Sequence, residues 1–279
     1  MLYWCSVIKE RKMIKYSITL IAVFGIAVLM AMTGRGGGNF YVPVMIATGS
    51  PMHQAATTAQ LILFCTAGAA LLVFQKSKNI DWKLAMMIDP PTDVMALVGG
   101  YFAHEFQGNI LKLVFAALLV LAGFFMLYPA KEISLISSKR FGFWRRKFGE
   151  HEYVVNLWLA IPITACTGFV AGMVGISGGS FKIPLMVLAC GVPMRVAVGT
   201  SSAMVAATAI MGFIGHTAGG DLNMQHAVPF AILAIIGGLI GGKFSLKTTP
   251  ERLKKIFAYT TFTAALFMVI NVLIWQGIR

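Results

Sequence analysis

The chain has 279 residues, of which 58% are hydrophobic and only 12% are charged, and its mean hydropathy is +0.79. Soluble domains carry about 25% charged residues, so the composition excludes an ordinary soluble protein and predicts a polytopic integral membrane protein. The net charge of +13 would suggest nucleic-acid binding in a soluble chain. Here the basic residues lie between apolar segments, which indicates membrane topology and contact with anionic lipid instead. The four cysteines show no CxxC spacing and no histidine in metal-ligand register, so neither a metal nor a cofactor is expected.

The first half of the chain predicts one basic N-terminal segment followed by membrane helices. Lys9, Arg11, Lys12 and Lys15 precede an apolar run at 17–33 without a convincing cleavage site. This pattern favours an uncleaved first helix with a cytoplasmic start. Further apolar runs predict helices at 53–75, 84–106 and 110–128.

Two segments do not fit ordinary spans. The run 42–49 is too short for a hydrocarbon core about 30 Å thick, so it predicts a half-helix or re-entrant segment with Pro43 in its first turn. Residues 131–153 form a linker in which basic and aromatic residues alternate, and we expect it to lie on lipid headgroups.

The second half of the chain repeats the first. The sequence GRGGGNFYVP at 34–43 returns as GISGGSFKIP at 175–184, and after a single-residue slip Thr58 matches Thr200. The duplication predicts helices at 154–174, 194–218, 226–244 and 253–275, with a short piece at 183–190. The predicted domains are a cytoplasmic N-terminal segment (1–16), a first membrane repeat (17–130), a basic cytoplasmic linker (131–153) and a second membrane repeat (154–279).

The predicted fold is all-α, with two homologous four-helix repeats and paired Gly-rich broken or re-entrant segments. Four spans per half make the halves parallel and keep the linker cytoplasmic, whereas counting the short piece as a fifth span would invert them. Four spans are therefore expected. This count leaves one basic cluster on the outer side: Lys243, Lys247, Arg252, Lys254 and Lys255.

The two Gly-rich breaks, at 34–38 and 175–179, predict a transport site because they lie at matching positions. Successive glycines let backbone N–H groups converge on an anion, and nearby helix N-termini add a positive dipole end. Close helix packing is the alternative explanation for such glycines. The candidate substrate-binding residues are Arg35, Gly36, Gly37, Gly38, Asn39, Thr57, Thr58, Gln60, Gly178, Gly179, Ser180, Lys182, Thr200, Ser201 and Ser202.

Four charged residues near these breaks are of particular interest. Arg35 and Lys182 lie at non-equivalent positions, and each is either a fixed positive charge at the site or snorkels to the interface. Asp89 and Asp93 are carboxylates inside an apolar segment, which makes them candidates for ion or proton coupling. Their i, i+4 spacing would place both on one helical face, but the two prolines between them weaken that geometry.

The doubled pattern Gly-x-(Gly/Ser)-Gly-Gly-x-Phe-x-x-Pro, with a following Gly-x-Pro turn and Thr-Ser-Ser, resembles the sulfite exporter TauE/SafE family. The resemblance covers about 17–129 and 154–275. It implies an eight-helix secondary transporter for sulfur-containing anions such as sulfite, sulfoacetate or other sulfonates. We expect it in the inner (cytoplasmic) membrane, with H+ or Na+ as candidate coupling ions and a homo-oligomer left open. Arg35 and the interruption at Asp89 depart from the family pattern. A passive anion channel, and a membrane enzyme or assembly factor that uses Asp89 and Asp93, stay open as alternatives.

Overall fold

The computed structural model describes residues 2–106, 141–176, 178–218 and 224–253, together with isolated residues within 110–117 and 255–270. The predicted helices at 110–128 and 253–275 lie largely outside these residues, as do the side chains of Asn39 and Ser180. The described elements are α1 (Leu2–Met32), α2 (Gly38–Ala47), α3 (Met52–Lys76), α4 (Trp82–Ile88), α5 (Pro90–Phe102), a 3-10 turn (Ala103–Glu105), β1 (Phe143–Phe148), β2 (His151–Asn156), α6 (Leu157–Val174), α7 (Gly179–Pro184), a π-helical turn (Leu185–Ala189), α8 (Met194–Thr217) and α9 (Met224–Lys247).

The long helices lie where the hydropathy predicts them. Among the described helices, α3, α6, α8 and the part of α9 from Ala227 onward are long and apolar enough to cross a membrane. Helix α1 contributes a further apolar stretch, Tyr16–Met32. The prediction of a mostly helical membrane protein is therefore confirmed.

A long helix ends at each Gly-rich break and a short helix follows. Helix α2 has 10 residues and α7 has 6. Pro43 lies inside α2, because that helix already begins at Gly38. The expectation that Pro43 occupies the first turn is therefore wrong.

Three long helices, α1, α3 and α9, run in the same direction. A methyl group added to Gly238 of α9 would lie 2.4 Å from the Thr66 carbonyl oxygen of α3, and one added to Gly242 would lie 3.1 Å from Val73 Cβ. Later positions of α9 thus meet later positions of α3, so the two helices are parallel, and glycine lets their backbones approach closely. Successive glycines of α9 also meet successive residues of α1 in ascending order. Helix α1 is therefore parallel to α9 and belongs to this group.

Helices α5, α6 and α8 form a second group. A methyl group at Gly168 of α6 would lie 2.4 Å from the Thr92 carbonyl oxygen of α5, and one at Gly172 would lie 2.3 Å from that of Ala96. Helix α8 runs beside α5 in the same direction, since Thr208 Oγ1 binds Asp93 and a methyl group on Gly100, further along α5, would lie 2.8 Å from the Gly212 carbonyl oxygen, further along α8.

The two groups are antiparallel to each other. Gln60, near the start of α3, lies against Gly212, near the end of α8. Asn79, just after α3, lies against Gly199, near the start of α8. Since the sequence repeat makes α3 and α8 equivalent, the expectation of parallel halves is wrong.

The expectation that the short segments do not carry the chain across between the long helices is wrong for the same reason. Helices α1 and α3 run in one direction, so residues 33–51, which include α2, must carry the chain back between them. Helices α6 and α8 likewise share a direction, so residues 175–193, which include α7, do the same. Hydropathy could not show this, because each returning segment contains only a short helix.

The basic linker and the end of α9 lie at the same end of the molecule. Arg195, at the start of α8, donates a hydrogen bond to the carbonyl of Thr248, just after α9 (3.4 Å). Lys243 and Lys247 therefore share the linker's side, which the four-span count did not allow. The start of α1 lies at the opposite end, so the N-terminus and the linker cannot both be cytoplasmic as expected.

The linker contains a β-hairpin, so the fold is not purely α-helical. β1 pairs antiparallel with β2, with Phe143 opposite Asn156 and Phe148 opposite His151. Along β1 the exposed Arg145 and Lys147 alternate with partly buried Trp144 and Phe148, which pack on the protein core. This period of two is the strand signal that the basic composition concealed. Because the chain is still in β2 at Asn156, the helix predicted from 154 begins at Leu157.

Asp81 clasps the hairpin to the helices. Its buried carboxylate accepts two hydrogen bonds from Arg146 (2.9 and 3.0 Å) and one from the Tyr153 hydroxyl (2.5 Å), and it caps α4 through the N–H groups of Lys83 and Leu84. Burial alone would raise the pKa of Asp81, but the hydrogen bonds from Arg146, Tyr153 and the backbone outweigh it and hold the pKa below its ordinary value. The carboxylate therefore stays ionised and ties three parts of the chain together.

We expect Arg146→Met to lower the free energy of unfolding by about 2–3 kcal/mol, because Asp81 then stays buried without its cation. The loss is below that of a fully buried pair, since the Arg146 side chain keeps 19% of its surface in solvent. Thermal unfolding in detergent measures the change. Lys147→Met is the matched control, since Lys147 is exposed and its ion pair with Glu152 spans 3.9 Å; an equal loss in both variants would contradict the clasp.

Candidate functional site

The two Gly-rich breaks face each other across one side chain of α8. A methyl group added to Gly36 would lie 2.7 Å from Val205 Cγ1, and one added to Gly179 would lie 2.7 Å from Val205 Cγ2. The same methyl group on Gly179 would lie 3.2 Å from the Arg35 Cα. Gly36 has a φ of +71°, a conformation that L-residues rarely adopt. Glycine is thus required here both for backbone shape and for the close approach of the two segments.

Each break is held by a polar side chain from the opposite group of helices. Ser201 of α8 donates a hydrogen bond to the Gly34 carbonyl (2.8 Å). Gln60 of α3 donates one from Nε2 to the Ile176 carbonyl (3.3 Å). The predicted residues Ser201 and Gln60 therefore join the two halves through backbone carbonyls.

The other predicted hydroxyl residues are largely engaged with the backbone. Thr57 donates to the His53 carbonyl (2.9 Å) and Ser202 to the Val198 carbonyl (3.1 Å). Thr200 accepts a hydrogen bond from the Asp81 N–H (3.0 Å), and Thr58 is half-buried. These side chains lie in the region predicted, but their contacts brace the helices.

The glycines of the first break keep N–H groups available. Among the described turns, no backbone hydrogen bond is donated by Gly36 or Gly37. A methyl group on Gly37 would lie 2.7 Å from the ring of Tyr41, whose hydroxyl lies 2.8 Å from Thr66 Oγ1. Gly38 begins α2, where N–H groups have no intrahelical acceptor.

Arg35 is buried beside the first break. Its guanidinium donates to the hydroxyls of Thr260 and Thr33, the latter at 3.4 Å, and approaches the sulfur of Met30 (3.8 Å). Arg35 therefore ties the break to α1 and to the last helical segment of the chain. Only 2% of its surface is exposed, which excludes snorkelling to the interface.

Lys182 is fully buried and is the centre of an ionic network. Its ammonium donates to the carboxylate of Asp89 and to Thr208 Oγ1 (2.6 Å). Thr208 in turn donates to Asp93 Oδ1 (2.7 Å). One cation of the second break is thus connected to both intramembrane carboxylates, directly or through one hydroxyl.

The two prolines between the carboxylates do not disrupt their geometry. Pro90 and Pro91 occupy the first turn of α5, where a missing N–H costs nothing. The Asp93 N–H still bonds to the Asp89 carbonyl (3.0 Å), so one helical turn connects them. The expectation that the prolines weaken the i, i+4 pairing is therefore wrong.

Both carboxylates line a cleft of about 170 Å³ between α4, α5 and α8. The other residues of the cleft wall are Trp82, Ala85, Met86, Pro90, Ala203, Met204 and Ala207. Asp81, which binds the hairpin at one end of the molecule, precedes Asp89 by eight residues. Asp89 therefore lies roughly 12 Å further along a helical path. The network thus borders a space large enough for several water molecules or one small anion.

The chain is similar to a family of membrane proteins. The family model described as "Sulfite exporter TauE/SafE" matches residues 19–268. The chain belongs to the TauE/SafE family. It is 24% identical over 275 residues to the "Probable membrane transporter protein YunE" of Bacillus subtilis, which covers 94% of this chain and 99% of that protein. It is 26% identical to a "Probable membrane transporter protein" of Methanocaldococcus jannaschii (90% and 94% covered) and to one of Haemophilus influenzae (91% and 96%). No solved structure matches.

Membership of the TauE/SafE family and the names of these relatives identify a multi-pass membrane transporter, and they describe transport rather than enzymatic chemistry. The names of the relatives describe transport and specify no substrate.

The pairing of Lys182 with Asp89 was not predicted from the sequence. A signal existed, because a lysine and two carboxylates in otherwise apolar segments must find partners. The missing information was that α5 of the first half packs against α6 and α8 of the second, which brings Asp89 to Lys182. Thr208, which connects Lys182 to Asp93, gave no sequence signal of its own.

We expect Lys182→Met to lower the free energy of unfolding by about 3–5 kcal/mol, because Asp89 is then buried without its cation. The double variant Lys182→Met/Asp89→Asn should recover most of this loss, since it removes both charges. Thermal unfolding of the purified protein in detergent compares them. A double variant no more stable than the single one would show that the pair carries no such coupling.

Proposed function

We propose that this TauE/SafE protein is a secondary transporter that moves small sulfur-containing anions, such as sulfite, sulfoacetate or other sulfonates, across the cytoplasmic membrane. The observation that carries the proposal is the fully buried Lys182, which lies in the second break and joins a small cleft through Asp89. A buried ammonium attracts an oxyanion strongly because the surroundings screen it little. The family description, which names sulfite, supports this class of substrate.

The two breaks form the proposed anion cradle. The N–H groups at 36–38 and at 178–179 would bind the oxyanion from two sides, with Lys182 and Arg35 supplying positive potential. The polar side chains of Thr57, Thr58, Gln60, Thr200, Ser201 and Ser202 would keep the two breaks in register. The backbones at Asn39 and Ser180 would complete the helix starts.

Alternating access would come from one group of helices rocking against the other. The halves are proposed to be inverted repeats, since α3 and α8 run in opposite directions. Ser201 and Gln60 each hold the break of the other half, so a shift of one group moves both breaks together. Asp89 and Asp93 are proposed to couple transport to a proton.

The hairpin side of the molecule is proposed to face the cytoplasm, with the N-terminus outside. Among the side chains that the structure describes, exposed basic residues concentrate at this side, which the positive-inside rule makes cytoplasmic. They are Lys76, Lys78, Lys83, Arg145, Lys147, Arg195, Lys243, Lys247 and Arg252.

This orientation predicts that Glu150→Cys, in the exposed turn of the hairpin, reacts with a membrane-impermeant maleimide only after cells are opened. The variant is made in a chain whose own cysteines are replaced by serine or alanine. His53→Cys, near the opposite end of the molecule, is the comparison and should react from outside. Labelling of Glu150→Cys in intact cells would show that the hairpin faces outward and would contradict the proposed orientation.

Flux measurements test the substrate class. Purified protein in liposomes should show saturable uptake of labelled sulfite or sulfonates, whereas liposomes that carry the Lys182→Met/Asp89→Asn variant should lose at least tenfold in rate. Lys147→Met, which changes an exposed charge on the hairpin, should transport like the wild type. Absence of saturable flux of any sulfur-containing anion by the wild type would overturn the proposal, and flux without saturation would favour a channel.

A further inference from the structure

The ionic network at Lys182 contains one more negative group than positive groups. Lys182 supplies one positive charge, and Asp89 and Asp93 would supply two negative charges if both were ionised. Two carboxylates that share one cation in an apolar site are costly to ionise together. The arrangement of lowest charge therefore has Lys182 and one carboxylate ionised, with a proton on the other.

The contacts show which carboxylate serves as the counter-ion. Asp89 receives the ammonium of Lys182 directly and is 4% exposed. Asp93 is half-buried and is reached only through the Thr208 hydroxyl. Asp89 is therefore the direct counter-ion of Lys182.

A buried hydroxyl beside Lys182 has no partner. Thr92 is completely buried, and its Oγ1 forms no hydrogen bond among the described residues. A methyl group added to Gly178 would lie 3.4 Å from Thr92 Cγ2 and 3.2 Å from Lys182 Cε. Thr92 and Lys182 thus border the same point of the second break, with the Thr92 methyl group on the side of Gly178. The buried Thr92 hydroxyl lacks a partner that a ligand oxygen would supply.

We propose that Asp89 is an exchangeable counter-ion, so that each monovalent anion is carried together with one proton. The anion replaces Asp89 at the ammonium of Lys182, Asp89 takes up one proton from the cleft as an O–H bond, and the Thr92 hydroxyl donates to the bound anion. This proposal rests on the proposed function and specifies its coupling.

The charges balance in both states. The empty site holds Lys182 charged, Asp89 charged and Asp93 protonated, which sums to zero. The loaded site holds Lys182 and the anion charged with both carboxylates protonated, which also sums to zero. The remaining groups that face the carboxylates are apolar: Trp82, Ala85 and Met86 from α4, and Ala203, Met204 and Ala207 from α8. Among the described residues of this cleft, no other titratable group can supply the proton.

The ratio of protons to anions in liposomes tests the proposal. Methanesulfonate and isethionate are the probes, since each keeps one fixed negative charge at any working pH. For the wild type, an internal pH dye should report one proton per labelled anion, and imposed membrane potentials should leave the initial rate unchanged. Saturable flux of either probe without proton movement would overturn this proposal while leaving the proposed function intact. Absence of flux with these probes and with sulfite would instead overturn the proposed function.

Variants at the two carboxylates separate their roles. Asp89→Asn should abolish the accompanying proton and make flux depend on membrane potential, because the anion then moves without a compensating charge. Asp93→Asn should keep one proton per anion at a reduced rate. An Asp89→Asn protein that still carries one proton per anion, or an Asp93→Asn protein that carries none, would assign the proton elsewhere and overturn the proposal. If the Asp89→Asn protein fails to fold, the proton-to-anion ratio of Asp93→Asn still tests the proposal by itself.

Thr92→Val tests the ligand role of the hydroxyl. It should raise the half-saturation concentration of methanesulfonate roughly tenfold, the effect of one lost hydrogen bond to a charged group, with the proton ratio unchanged. Thr164→Val is the matched control, because Thr164 is equally buried but donates within its own helix (2.8 Å), and it should stay within about twofold of the wild type. An unchanged half-saturation in Thr92→Val would remove Thr92 from the site.

Discussion

The burial of the Lys182 ammonium is the constraint on which the central packing depends. An isolated ion in a low-dielectric interior costs many kcal/mol unless it is paired and hydrogen-bonded. Its direct partners come from different elements, Asp89 from the junction of α4 and α5, and Thr208 and the Met204 carbonyl (3.5 Å) from α8. Since α5 lies in the first half of the chain and α7 and α8 lie in the second, satisfying one charge requires the halves to interleave. Two independently folded halves side by side would leave Lys182 without its carboxylate.

Glycine makes this interleaving close enough to exclude water. On α6, Gly168 and Gly172 lie directly against the backbone of α5, where an added methyl group would come within 2.4 Å of a carbonyl oxygen. Helices packed at this distance leave little room for solvent around Asp89 except through the cleft beside it. Two charges attract each other strongly where few water molecules screen them. Replacing one partner of such a pair therefore changes the interaction energy by a large amount. Gly168 and Gly172, which lie on α6 before the second Gly-rich break, thus help to set the electrical environment of Asp89.

The sequence predicts the elements of this fold better than their arrangement. The apolar runs at 53–75 and 194–218 correspond to α3 and α8, and the Gly-rich breaks correspond to the ends of α1 and α6. Helix direction was predicted wrongly, because a ten-residue α2 looks too short to count as a crossing. The hairpin at Phe143–Asn156 was missed because its charges resemble a membrane-surface linker, although its period of two indicated a strand. The contact between Lys182 and Asp89 joins residues 93 positions apart, and nothing local in either segment specifies it.

The two breaks differ in the chemistry that surrounds their cations, and this difference limits where coupling can occur. Arg35 donates to the hydroxyls of Thr33 and Thr260, groups that do not change charge at physiological pH. Lys182 is held by a carboxylate, a group that can be neutralised by a proton. A guanidinium that is bound by hydroxyls suits a permanent attraction for anions. An ammonium that is paired with a carboxylate attracts anions more strongly once a proton has neutralised that carboxylate. Among the described contacts, the second break thus has a cation paired with a carboxylate, which is why the proposed coupling is assigned to Lys182 and Asp89.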